Sequence, residues 1–206
     1  MRNTILLFAF ISILSCKNSK VETDFEASKI KDINQIVETI IIEDTLDVLK
    51  NGKDSRMLCE ELTKLRIYIP EKAKKGEIYP PLPPPPPFGN VSIESLLHYG
   101  KIGLFNVKDS LTLVNQNSNP QIFKIDKVLF DKFNLTTREK EIGKKNTKES
   151  FDFYEITIPI FSLDNKKAYV ELSHYCGRLC GSGKAIYLKK INGKWKIIDS
   201  WRTWIS

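Results

Sequence analysis

The sequence predicts an α+β fold, with N-terminal helices packed on a C-terminal antiparallel sheet of about four strands. Three observations carry this. Apolar residues Ile30, Ile33, Val37, Ile40 and Ile41 recur at helical spacing between charged ones. Stretches 151–160, 166–176, 183–191 and 194–201 are rich in β-branched and aromatic residues. Asn192-Gly193 joins the last two stretches and is a strong two-residue hairpin signal. At 206 residues the prior is one globular domain. Hydrophobic residues make up 41%, enough for a core, which excludes a wholly disordered chain.

Along the chain, 28–50 reads as one long amphipathic helix stopped at Asn51-Gly52, with Ile40-Ile41-Ile42 equally able to open a strand. Residues 58–65 suggest a second short helix and 66–69 a short strand. Pro80-Pro81-Leu82 and Pro83 to Pro87 form a proline-rich loop, 80–87. It cannot form helix or central strand and is expected to adopt polyproline II, and it reads as a stiff spacer rather than a ligand for an aromatic groove. Ser92 is placed to cap a short helix ending at His98, and 109–116 and 126–133 suggest further short helices or edge segments. The polar run 137–150 reads as a loop.

A two-residue turn fixes the hairpin register. It sets Lys190 opposite Trp195, Lys189 opposite Lys196, Leu188 opposite Ile197, Tyr187 opposite Ile198 and Lys184 opposite Trp201. Ile186, Leu188, Trp195, Ile197 and Trp201 then share the core face, with Lys190 and Lys184 able to lie across indole rings. The facing pair Lys189 and Lys196 is repulsive. Glu171 alternates with Ala168, Val170 and Leu172, so it points away from the core and is expected to relieve that pair.

Charge has the same address. Lys+Arg 32 against Asp+Glu 25 leaves a net +7, and 166–202 alone holds nine basic and two acidic residues. That segment accounts for the whole excess. Arg178, Lys189, Lys194 and Lys196 are therefore the candidate residues for an anionic surface, with a solvated sheet face as the plain alternative.

Cysteine use points the same way. Cys176 and Cys180 bracket Gly-Arg-Leu and are spaced for a short disulfide, leaving Cys59 as a buried thiol. His174, Cys176 and Cys180, with Cys59 or His98, would also offer four soft ligands. Structural zinc sites show paired short spacings, and only one pair is present. Gly177 to Lys184 lacks the spacing and the following helix of a phosphate loop; its glycines suit tight turns around the cysteines. No cofactor or metal is called for. His174 reads as a satisfied histidine at the sheet edge, and nothing specifies a catalytic residue.

At the N-terminus, Arg2 precedes ten apolar residues, Ile5 to Leu14, then Ser15-Cys16. Ten residues are too few to span a bilayer and suit a secretory signal. Ile13-Leu14-Ser15-Cys16 resembles the lipobox of bacterial lipoproteins, with Leu14 standing where that pattern carries a small residue. The chain as a whole resembles small bacterial envelope lipoproteins. That resemblance implies a signal peptide over 1–15, a lipidated Cys16, a tether over 16–27 and a single domain over 28–206. It also implies an exported, oxidising setting on the periplasmic face of a membrane or at the cell surface. The expected function is a non-catalytic binding domain, for an envelope protein or an anionic surface, in which nucleic acid is disfavoured. The alternatives are a hydrolase-like envelope enzyme and a periplasmic inhibitor protein.

Overall fold

The structure is a computed structural model. It describes residues 16–52, 55–70, 88–98, 104–147, 150–177 and 179–206, with the backbone alone for 16–26 and 145–147. The proline-rich loop and the signal segment lie outside the described residues. No described helix is long and apolar enough to cross a membrane.

The first helix, α1 (Cys16–Glu43), begins earlier than expected, so the backbone of the tether segment is helical, and it stops well before Asn51-Gly52. Its end is set locally. Thr45 takes a left-handed conformation, φ 52°, and the Leu46 N–H reaches back to the Ile41 carbonyl. That pattern closes a helix C-terminus. Ile33, Ile36, Val37 and Ile40 form the buried stripe of α1.

Residues 58–65 are not helical. They form β1 (Met57–Cys59) and β2 (Glu61–Thr63), followed by β3 (Arg66–Tyr68). Leu58, Leu62 and Leu65 mimic a helical spacing, but each is buried from a separate extended segment. After β4 (Asn90–Ser92), α2 (Ile93–His98) starts where Ser92 Oγ accepts the Ser95 N–H at 3.0 Å. Then come α3 (Ser110–Asn115), β5 (Ile122–Lys124), a 3₁₀ turn at Lys127–Leu129 capped by Asp126, and β6 (Leu135–Thr136). The expected loop 137–150 is instead α4 (Arg138–Thr147). It escapes the hydrophobic pattern because it buries a carboxylate, Glu141, bound by Thr136 Oγ1 and Lys144 Nζ.

The C-terminal part is β7 (Phe153–Ile156), β8 (Ile160–Phe161), β9 (Lys167–Tyr175), β10 (Gly181–Ile191) and β11 (Lys194–Ile205). The expected first strand is broken near Pro159, which has no N–H for the ladder. β7 and β8 pair different parts of β9. The sheet runs β11-β10-β9-β7-β1-β6, and it is mixed rather than four-stranded and antiparallel: β1 lies parallel to both β7 and β6.

Both faces of this sheet are covered. α1 lies over Val170, Leu172, Ile186, Leu188 and Trp195. The opposite face packs Tyr169, Ala185 and Tyr187 against Leu65, Ile67, Val91, Leu96, Phe105 and Leu113.

Near the turn the hairpin register is as expected, from Ile191↔Lys194 to Leu188↔Ile197. A bulge then shifts it, so Tyr187 faces Asp199 and Lys184 faces Arg202. Trp201 thereby changes face and stacks on Tyr187 with centroids 5.0 Å apart, so it neither joins the α1 core nor meets Lys184. A second shift places Trp204 over Gly183. A Cβ there would lie 2.0 Å from Trp204 Nε1, so glycine is required by the indole rather than by a turn.

α1 is clamped to this hairpin by Asp32, only 7% exposed, whose Oδ1 accepts from Lys190 Nζ at 2.6 Å and Trp195 Nε1 at 3.1 Å. Truncation strands both donors. Asp32→Ala should cost about 2–3 kcal/mol in urea unfolding. A loss below about 0.5 kcal/mol, the scale of a solvated surface pair, would contradict the clamp.

Candidate functional site

The charged residues of the hairpin divide into two sets. Three lysines are held by carboxylates of α1 and its C-terminal end. Lys190 meets Asp32, Lys196 Nζ meets Glu43 Oε1 at 2.7 Å, and Lys184 meets Asp44. Glu43 also accepts the Ile197 N–H at 2.9 Å, and these bonds hold its carboxyl below its usual range against the opposing effect of burial. Asp32 and Glu43 are eleven residues apart, about three helical turns, and so lie on one face of α1. That spacing was the available signal for them, and the reading of the hairpin alone missed it.

The second set faces water. Lys189 and Lys194 are exposed, and among the described residues neither has an ion-pair partner. Lys189 lies directly between Lys167 on β9 and Lys196 on β11, a row of three lysines across three strands. Lys194 and Lys196 also line a groove of about 410 Å³ between α1 and β11, with Glu38, Glu43 and Trp195. Lys190 lies 5.3 Å from the Trp195 ring centroid, as the register implied.

Glu171 does not relieve these lysines. It lies on the face away from α1, but that face is a second core. There it accepts the Gly89 N–H at 2.8 Å and the Tyr169 hydroxyl at 3.1 Å. Burial is the main influence on it, and outweighs both hydrogen bonds to push its pKa up to about 7.

Cys176 and Cys180 are disulfide-bonded, with Cα atoms 5.0 Å apart, and close the end of the β9–β10 hairpin. That end is opposite to the Asn192-Gly193 turn that carries Lys189, Lys194 and Lys196; Arg178 lies outside the described residues. Cys59 is a free, buried thiol, pushed far up by desolvation. Cys16 begins α1. His98 ends α2.

His174 is satisfied, as expected, but it stands on an interior strand, paired on both sides, rather than at the sheet edge. Its Nε2 lies 2.6 Å from Asp152 Oδ1, its ring stacks on Tyr154, and Asp152 is also paired with Arg56. It lines a cleft of about 220 Å³ with Tyr154, Ser182, Lys184 and Asp44. Ser182 is its direct cross-strand partner. Among the described residues no three His, Cys, Asp or Glu side chains are grouped to hold a metal. Comparison of the chain with protein-family models, curated proteins and solved structures finds no match.

The raised Glu171 pKa has a consequence for stability. In the unfolded chain the group titrates near 4.5, in the folded chain near 7. Its contribution is thus complete below 4.5 and is lost as pH rises to about 7, on the order of 3 kcal/mol in all. Glu171→Gln should flatten that part of the profile. Urea midpoints across this range should show the variant gaining on the wild type. Parallel profiles would place Glu171 in contact with solvent.

Proposed function

We propose that this protein is a membrane-anchored envelope lipoprotein, acylated at Cys16, whose non-catalytic domain binds an anionic partner. Lys189 and Lys194 are the principal contacts, with Lys167 and Lys196 beside them. The observation that carries the reading is the division of the hairpin lysines. The fold neutralises three of them with acids of α1 and its C-terminal end, and leaves Lys189 between two lysines and Lys194 exposed without an ion-pair partner among the described residues. A multivalent anion relieves that repulsion, while an isolated exposed pair is worth little to the fold itself. The anchor rests on the apolar segment Ile5 to Leu14 and the Ser15-Cys16 that follows it. One acyl chain anchors marginally and two or more stably, so a lipidated Cys16 holds the domain at a membrane without spanning it.

A second reading, a hydrolase-like enzyme, is favoured by one feature. Ser182 stands opposite His174, whose Nε2 is held by Asp152, in the cleft that also contains Lys184. The cleft is small, and His174 is committed to stacking on Tyr154, so the binding reading is preferred.

Two measurements check it. Cells fed an alkyne-bearing fatty acid should label the wild type and not Cys16→Ala; equal labelling would overturn the anchor. On a heparin column, Lys189→Ser/Lys194→Ser should elute at clearly lower salt than the wild type, because exposed charges are screened over about 10 Å at 0.1 M. Unchanged elution would remove the hairpin as the contact.

A further inference from the structure

We infer that the anionic partner is the bilayer carrying the anchor, and that the protein docks on it through the tips of two adjacent turns. The inference rests on the reading above and names the partner of the same lysines.

The direction of α1 comes first. Asp32 meets Lys190 and Trp195 beside the Asn192-Gly193 turn, and Asp44 meets Lys184, six residues back along β10. α1 therefore runs away from the turn, and the stretch leading back to Cys16 runs out past it. The anchor and the basic turn are at one end of the sheet. The disulfide-closed end, with the cleft around His174, is at the other.

That end is also amphipathic. Ile191 is 46% exposed at the β10–β11 turn and Leu163 is 62% exposed at the β8–β9 turn. The two turns are adjacent, since the Lys190 N–H reaches the Lys166 carbonyl at 2.8 Å. Leu163 is held in place by its own N–H to Asp109 Oδ1 at 3.0 Å. Lys166, Lys189 and Lys194 flank these apolar tips and are exposed. Asp164, also exposed beside Leu163, accepts the Ser162 hydroxyl at 2.6 Å and the Lys166 N–H at 3.1 Å, and the three lysines outnumber it. Exposed aliphatic tips ringed by long cationic side chains match a headgroup layer, with the aliphatic groups entering the acyl boundary and the ammonium groups at phosphate level. Each lysine near such a surface strengthens association about fivefold, within a Debye length.

Lengths set the posture. Sixteen residues separate Cys16 from Asp32, about 24 Å of helix, whereas two residues of strand, about 7 Å, lead from Lys190 to the tip. An upright α1 holds the tip off the surface. Docking requires the helix to lean toward the hairpin side, so an anionic bilayer selects a leaning domain and a neutral one does not.

The test uses the mature, acylated protein in proteoliposomes, with an environment-sensitive dye on Ile191→Cys. Cys59 is buried and Cys176 and Cys180 are paired, so the dye is directed to the turn. In vesicles of phosphatidylcholine mixed with phosphatidylglycerol, the emission should shift to the blue at low salt. The shift should disappear at high salt, in phosphatidylcholine alone, and in the Lys189→Ser/Lys194→Ser background. The same emission in all vesicles, with salt-sensitive heparin binding intact, would overturn the bilayer as partner and leave the binding reading standing. A protein whose mass shows no acyl group would overturn the anchor itself, and the docking inference with it.

Discussion

A single buried oxygen organises this molecule. Asp32 Oδ1 receives both the Lys190 ammonium and the Trp195 indole N–H, inside the contact between α1 and the last hairpin. Burying a carboxylate is costly unless it is paired and hydrogen-bonded, so its position is strongly determined. With Asp32 placed, Glu43 falls three turns further along α1 and Asp44 just past its end, in reach of Lys196 and Lys184. The same helix presents Ile33, Ile36, Val37 and Ile40 to the sheet. Electrostatic register and hydrophobic burial therefore specify one orientation of α1, and that orientation determines where Cys16 leaves the fold.

The sheet then has to serve two cores. Strands such as β9 carry apolar residues on one face and Tyr169, Glu171 and Ser173 on the other, and both faces are buried. The bulge beside Tyr187 and Leu188 is what makes this geometry work at β11. It leaves Trp195 on the α1 side while turning Trp201 to Tyr187 on the other. Near the strand's end, Gly183 leaves the space that Trp204 fills.

The elements legible in the sequence were those with one strong local rule. Asn192-Gly193 specified a hairpin and its first pairs, and the cysteine spacing specified the loop disulfide. Ser92 specified the start of α2. What escaped was non-local. The bulge at Ile198 has no residue signature, so a fixed register carried too far put Trp201 on the wrong face. Helix α4 lacks an apolar stripe because Glu141 is its buried group. β1 and β2 have a leucine spacing that fits a helix, and only their partners, β6 and β7 for one and β5 for the other, define them as strands. At the candidate site, Lys189, Lys194 and Lys196 were visible as charge. Their division into held and outward lysines depends on a helix over one hundred residues away in sequence, and Glu171 depends on Gly89 and a second core.

That division is the central claim, and amine reactivity measures it directly. Under limiting acetylation of the folded protein, followed by peptide mass spectrometry, each lysine reports its own accessibility and pairing. Lys189 and Lys194 should be modified several-fold faster than Lys184 and Lys190, with Lys196 between them. Equal rates at all five positions would mean that α1 does not hold the hairpin lysines, and would contradict the account.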